Sequence, residues 1–282
     1  AWLIPSSSTA RSRQVRVVLI QREDPFASAR AVAGGFLHFS PRKEKGAPML
    51  LKELREKVYE ANMQLPHLGL VIFTWGNASE FDPETGLFVI KPSGVAYDEL
   101  TPGKLVVCDL DGKRVEGDLN PSSDTDTHAW LYRCWADKGI HGVVHTHSSS
   151  ATAWAQAGRD LPAYGTTHAD YFYGAVPCMR GLTEQEIEEA YELNTGKVIA
   201  AGFDERDIDP LAVPAVLVRN HGPFSWGKDA NEAVYHAAVL EECAKIARDT
   251  ELLSPHCGPA PQYLQDKHYL RKHGPNATYG QQ

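Results

Sequence analysis

The chain has 282 residues, of which 43% are hydrophobic and 23% are charged, and 36 acidic side chains outnumber 28 basic ones. No apolar run approaches the roughly 20 residues that a spanning helix needs, so we predict no membrane role. This composition is typical of a soluble globular protein rather than a disordered one. The net charge of −8 argues against nucleic-acid binding. Five cysteines without a C-x-x-C pair predict a reducing, cytoplasmic setting.

The first 48 residues differ in composition from the rest of the chain. They are rich in Arg and Ser and poor in acidic side chains. Such a stretch can resemble an organellar transit peptide, but an upstream extension is the simpler interpretation. We therefore predict that residues 1–48 are a disordered extension outside the fold and that residues 49–282 form a single domain.

Regular patterning begins at Met49. Apolar residues at helical spacing predict an amphipathic helix that ends before Gly69. The β-rich runs 71–74 and Leu87–Ile90 are separated by the turn-like composition of residues 82–86, which predicts two paired strands.

Further strands and helices alternate along the remaining chain. Thr183 with Glu186, and Asp229 with Glu232, have the spacing of helix N-terminal caps, and both pairs open long helical patterns. A last helix is predicted over residues 262–271. Strands interleaved with helices indicate an α/β or α+β domain. The other strand candidates are residues 105–109, 142–146 and 215–219.

Two histidines close one of the predicted strands. In a strand, His145 and His147 project from the same face because they are two residues apart. His221 follows the strand-like run 216–218 and precedes Gly222, where a turn can aim it inward. Three neutral imidazoles leave open positions on zinc, which is typical of a catalytic site. The alternative is a chance His-x-His pair on a half-buried strand.

Three loops are dense in hydroxyl, amide and glycine positions, namely residues 74–79, 91–95 and 121–125. Such loops present backbone N–H groups, hydroxyls and one lysine to an anion. Any one of them could simply make a turn. Together with the three histidines, they predict a phosphorylated substrate beside a metal ion.

A series of motifs in one order carries a family resemblance. They read Thr-Trp-Gly-Asn, Lys-Pro-Ser-Gly-Val, Pro-Ser-Ser-Asp-Thr-x-Thr-His, His-Thr-His-Ser, Thr-Thr-His-Ala-Asp-Tyr-Phe-Tyr-Gly, His-Gly-Pro-Phe-x-Trp-Gly and Asp-Lys-His-Tyr-Leu-Arg-Lys-His-Gly. Over residues 49–282 the chain resembles the L-ribulose-5-phosphate 4-epimerases of the class II, zinc-dependent aldolase family. The resemblance implies an α/β fold with a central, largely antiparallel sheet covered by helices on both sides. It also implies a homotetramer with active sites between subunits.

The resemblance assigns a metal and a phosphate site. It implies one Zn²⁺ per subunit, held by His145, His147 and His221, with the catalytic residue Asp124 close to the metal. The substrate phosphate would be bound by Asn77, Lys91, Ser93, Gly94, Ser122 and Ser123.

The resemblance also implies an acid/base pair. Asp170 would reach the site from a neighbouring subunit, and Tyr279, with His268 nearby, would stand opposite. The implied activity interconverts L-ribulose 5-phosphate and D-xylulose 5-phosphate by retro-aldol and aldol steps, because carbon 4 is not acidic and cannot be inverted by simple proton removal.

Two alternatives remain open at the level of the sequence. A class II sugar-phosphate aldolase would release glycolaldehyde phosphate or a related aldehyde, but in such aldolases the position of Asp124 is typically Glu. A metal-binding module without turnover would keep the histidines but would have no use for phosphate loops or an acid/base pair.

Overall fold

The computed structural model describes residues 49–275 and Ala277. The predictions for residues 1–48 and for Tyr279 lie outside these described residues. The described part contains eight strands and seven α-helices. In chain order they are α1 (Lys52–His67), β1 (Asn77–Asp82), β2 (Leu87–Ile90), β3 (Val106–Asp109), β4 (Arg114–Glu116), α2 (Thr125–Trp135), β5 (Gly142–His145), α3 (Ser149–Ala157), α4 (Thr166–Ala169), β6 (Cys178–Met179), α5 (Glu184–Glu205), β7 (Ala215–Val218), β8 (Pro223–Gly227), α6 (Ala230–Leu253) and α7 (Gln262–His273).

The predicted first helix is confirmed as α1, but the strand predicted after it is wrong. Residues 71–74 form a turn, in which the amide of Trp75 donates to the carbonyl of Ile72 at 3.1 Å. Phe73 and Gly76 both have positive φ, of 58° and 75°, which a strand does not tolerate. The strand that pairs with β2 begins instead at Asn77.

All eight strands lie in one mixed sheet, in the order β4-β3-β2-β1-β5-β8-β7-β6. Every neighbouring pair is antiparallel except β6 and β7. This architecture confirms the predicted α/β fold with a largely antiparallel sheet.

Helices cover both faces of the sheet, because successive residues of the central strands pack alternately into two apolar clusters. On β2, Phe88 and Ile90 pack into one cluster and Val89 packs into the other. Residues of α2 and α5 belong to the first cluster, whereas α1 and the first half of α6 belong to the second. A strand buried on both faces has little freedom to slip in register, so the ends of the central strands are firmly placed.

The predicted helix caps are confirmed. Thr183 and Glu186 form a reciprocal capping box at the start of α5, and Asp229 accepts a hydrogen bond from the amide of Glu232 at the start of α6. The backbone of α5 is not regular, because Ala190 has φ −168° and ψ 80°. Among the described residues, no helix is long and apolar enough to cross a membrane.

Candidate active site

A cavity of about 540 Å³ opens at the edge of the sheet where β1 begins and where β2 and β5 end. The connection between β7 and β8 also borders it. Its walls are mainly polar and include residues from six separate stretches of the chain. The lining residues are Thr74, Trp75, Gly76, Asn77, Lys91, Pro92, Ser93, Gly94, Ser122, Ser123, Asp124, His145, His147, Tyr191, Glu192 and His221.

The three predicted histidines converge in this cavity. His145 is the last residue of β5, His147 follows it by two residues, and His221 lies in the tight connection between β7 and β8. One nitrogen of each ring lies within 4.8 Å of one nitrogen of the other two, and Nε2 of His145 lies 3.1 Å from Nε2 of His147. Such spacing suits a single metal ion bound by three imidazoles.

The connection before β8 explains why His221 points inward. Asn220 adopts a left-handed conformation with φ 62°, and the amide of Val218 donates to the carbonyl of Gly222 at 2.9 Å. A Cβ atom at Gly222 would lie 2.9 Å from the backbone oxygen of Thr146. Glycine thus lets this turn approach the chain that carries the other two histidines.

The nitrogen environments fit a metal site. Nδ1 of His145 lies 3.0 Å from the carbonyl oxygen of Pro223, so this nitrogen carries the proton and Nε2 keeps a free lone pair. Nδ1 of His221 is buried and has no hydrogen-bond partner among the described residues. Burial, and then the neighbouring His145, lower the pKa of His147 and of His221. Neutral imidazoles are the form that binds a metal.

Asp124 lies beside the histidines, at the position before α2. Its Oδ2 accepts a hydrogen bond of 2.7 Å from Nδ2 of Asn77. Burial alone would raise the pKa of Asp124, but the imidazoles of His145 and His128 and the Asn77 hydrogen bond outweigh burial and lower it. The carboxylate is therefore ionised and adds negative charge to the site.

Lys91 is a buried cation facing the same cavity. Its side chain is 1% exposed, and within the described part of the chain its ammonium contacts two carbonyl oxygens, at 3.4 and 3.5 Å, and the Tyr97 ring. Burial lowers the pKa of Lys91 to about 8. A desolvated ammonium with such weak partners is well suited to an anionic ligand.

Two loops with hydroxyl side chains meet next to Lys91. The amide of Ser93 donates to the carbonyl of Asn120, and the amide of Ser122 donates to the carbonyl of Lys91, both at 3.0 Å. Gly94 has φ 68°, a conformation that favours glycine. The six residues predicted to bind phosphate all line one cavity: Asn77, Lys91, Ser93, Gly94, Ser122 and Ser123.

Asp170 and His268 form a second group that does not line this cavity. The carboxylate of Asp170 contacts Nδ1 of His268 at 3.0 Å and the Arg271 guanidinium at 2.9 Å. Burial would raise the pKa of Asp170, but hydrogen bonds from Arg271 and His268 lower it. A single subunit therefore does not bring Asp170 and His268 together with the three histidines, and Tyr279 lies outside the described residues.

Tyr191 and Glu192 also line the cavity, although no sequence pattern predicted a role for them. They follow the irregular Ala190 within α5, and the Tyr191 ring centroid lies 5.7 Å from that of His221. An interruption inside one long helix has no strong local signature here, so only the folded chain reveals these two residues.

Comparisons with known proteins agree with this geometry. The profile of the "Class II Aldolase and Adducin N-terminal domain" family matches residues 56–248. The L-ribulose-5-phosphate 4-epimerases UlaF of Salmonella paratyphi C and Salmonella typhi are each 55% identical over 231 residues, which cover 82% of this chain and 100% of each relative.

Solved structures give the same relationship. An L-fuculose 1-phosphate aldolase is 26% identical with a TM-score of 0.65, covering 79% of this chain and 97% of that one. The L-fuculose-1-phosphate aldolase of Thermus thermophilus is 26% identical with a TM-score of 0.54, covering 74% and 98%. The sequence, the fold and the grouping of three histidines with the polar loops lead to one conclusion. The chain belongs to the class II aldolase family, as its motifs predicted.

Proposed function

We propose that the protein is an epimerase that interconverts L-ribulose 5-phosphate and D-xylulose 5-phosphate by breaking and remaking the bond between C3 and C4. Relatives named for this activity align over their full length at 55% identity. The observation that carries the proposal is one cavity holding both a three-histidine cluster and a buried lysine with hydroxyl-rich loops. Such a cavity suits a substrate with a metal-binding end and a phosphate end.

The proposed cofactor is one Zn²⁺ per subunit, which His145, His147 and His221 would hold. When bound, zinc would polarise the substrate's ketone and stabilise negative charge on the three-carbon fragment. Asp124 adds a carboxylate beside these imidazoles, and Asn77 fixes its orientation through the 2.7 Å hydrogen bond.

The phosphate loops would retain the second fragment. Cleavage of the bond between C3 and C4 leaves glycolaldehyde phosphate, whose aldehyde must rotate before the bond forms again on its other face. Lys91 would pair with the phosphate, while the loops around Ser93 and Ser122 supply hydroxyl and amide donors. A phosphate held in this way lets the aldehyde turn without leaving.

Inversion requires proton transfer on both sides of the aldehyde. We propose that Asp170 and Tyr279, with His268 beside Asp170, supply these groups from a neighbouring subunit of a homotetramer. The separation of Asp170 from the histidine cavity within one chain supports this arrangement. The hydrogen bonds from Arg271 and His268 favour the ionised form of Asp170, which can accept a proton.

We also propose a cytoplasmic location. All five cysteines are free thiols, and a reducing compartment is where free thiols are usually kept.

An assay of the purified protein with L-ribulose 5-phosphate tests the proposal. We expect D-xylulose 5-phosphate to accumulate, with little free glycolaldehyde phosphate. Release of glycolaldehyde phosphate in amounts comparable to turnover would favour the aldolase alternative, and so would faster cleavage of L-fuculose 1-phosphate. Zinc binding without conversion of either substrate would favour a binding module.

A further inference from the structure

A buried carboxylate on α6 contacts the first turn of α3. Glu241 accepts hydrogen bonds from the amide of Ser150, at 3.0 and 3.1 Å to its two oxygens, and from the amide of Ala151, at 2.9 Å. Glu241 is only 5% exposed, and 91 residues separate it from Ser150 in the sequence. This contact therefore fixes α3 to a helix that is remote along the chain.

The amides that Glu241 binds are those that an N-terminal cap normally satisfies. Ser150 and Ala151 are the second and third residues of α3, and a capping side chain accepts from those positions in most helices. Ser148 occupies the cap position of α3, but its side chain makes no capping hydrogen bond. Glu241 thus caps α3 from another helix, and its charge complements the positive end of the helix dipole.

His147 lies in the short link between β5 and this capped turn. The sheet fixes one end of the link, because His145 pairs with Asn77 and Phe224 on the two neighbouring strands. The other end is α3 itself, which begins at Ser149. The His147 ring contacts His145 and Trp75 at the cavity, but its side chain keeps a solvent-accessible side. The position of the ring therefore also depends on where the start of α3 places the His147 backbone.

We propose that Glu241 is a positioning residue for the metal site, because it anchors α3 and thereby holds His147 where it can bind the ion. Its negative charge also offsets the positive end of α3, which begins two residues after His147 and would otherwise disfavour a divalent cation. This inference rests on the proposed metal site but not on the identity of the sugar substrate.

Glu80 provides a matched control. It is also a buried carboxylate, at 7% exposed, and it accepts a 2.8 Å hydrogen bond from the amide of Ala230 at the start of α6. The start of α6 is not joined to any of the three histidines by a short link. Glu80→Gln therefore removes the same kind of capping charge without disturbing the link that carries His147.

The experiment measures zinc affinity of the full-length protein by competition with a chromogenic chelator. We expect Glu241→Gln to raise the zinc dissociation constant about 10- to 100-fold, the usual effect of losing a group that orients a ligand. Glu80→Gln should stay within about twofold of the unmodified protein even where its melting temperature falls. The visible spectrum of the cobalt-loaded protein should change in Glu241→Gln and not in Glu80→Gln.

Unchanged zinc affinity in Glu241→Gln would overturn the inference, and so would an equal loss of affinity in Glu80→Gln. If Glu241→Gln does not fold, Glu241→Asp is measured in its place, since it keeps the charge but shortens the reach. Unchanged zinc affinity in Glu241→Asp, or an equal loss of affinity in Glu80→Gln, would then overturn the inference. A complete lack of zinc binding by the unmodified protein would instead overturn the proposed metal site, together with the role of Glu241.

Discussion

Asn77 and His145 lie directly opposite each other on the antiparallel strands β1 and β5. Both side chains reach the cavity, and Nδ2 of Asn77 contacts both Ser122 Oγ, at 3.0 Å, and Asp124 Oδ2, at 2.7 Å. This one strand pair therefore links the proposed phosphate loops to the proposed metal ligands. The central sheet fixes the separation between the two ends of the substrate site.

The first prediction concerns the metal. His147→Ala should remain folded but lose zinc and epimerase activity together, since two imidazoles bind zinc much more weakly than three. Elemental analysis should find about one zinc ion per subunit in the unmodified protein and almost none in the variant. His67→Ala, which changes an exposed histidine at the end of α1, is the control. Normal zinc content in His147→Ala would exclude the proposed site.

The second prediction concerns pH and Lys91. The pKa of this lysine is lowered to about 8 by burial, so its ammonium is charged below pH 8 and loses its proton as the pH rises through that value. Phosphate binding needs the charged form, and kcat/KM, which reports the free enzyme, should therefore fall above pH 8. Lys91→Arg keeps its charge to much higher pH and should lack this fall. The same decline in both proteins would show that another group titrates.

The third prediction concerns the packing of β5. A Cβ atom at Gly142 would lie 2.0 Å from the backbone oxygen of Asp229 and 2.5 Å from the amide nitrogen of Ala230. Because these are backbone atoms, we expect Gly142→Ala to lower the free energy of unfolding by about 3 kcal/mol, the upper end of the usual cost of overpacking. Urea denaturation measures this change. Gly258→Ala, with no atom within 4 Å of the added group, should change stability by less than about 0.5 kcal/mol.

The fourth prediction concerns the first 48 residues, which we propose lie outside the catalytic domain. Their deletion should shift the melting temperature by less than about 2 °C and leave turnover nearly unchanged. The family profile matches residues 56–248, all of which follow this segment, and this supports the expectation. A large loss of either quantity would mean that the segment packs on the domain.

The fifth prediction concerns the shared active site. His147→Ala and Asp170→Asn should each be nearly inactive, yet each keeps the half-site that the other lacks. In a cyclic tetramer assembled at random from equal amounts, about one-quarter of the interfaces join two intact halves. Co-expression should therefore recover about one-quarter of the activity of the unmodified protein. Recovery should be close to none when the two assembled variants are mixed without subunit exchange.

Differently tagged chains provide the control for this experiment, because they prove that mixed tetramers have formed. If mixed tetramers are present and activity remains at the level of the single variants, the assignment of Asp170 to a neighbouring subunit is wrong. The metal assignment would not be affected, since it depends on His145, His147 and His221.

The features that could be predicted from the sequence are those encoded within a few residues. Helix α1 follows from apolar residues at helical spacing, and the start of α5 follows from Thr183 and Glu186, which contact each other within one turn. The His-x-His pair could be assigned to a strand end for the same reason. In each case the interaction that defines the feature joins near neighbours in the chain.

The features that only the tertiary structure decided depend on contacts between distant segments. The first central strand begins at Asn77 rather than at residue 71 because Phe73 and Gly76 turn the chain, and because Asn77 pairs with His145. Glu241 caps a helix 91 residues away, and an interruption at Ala190 precedes the cavity residue Tyr191. Such contacts leave no periodic or capping pattern in the local sequence, because their geometry exists only once the sheet and its helices have packed.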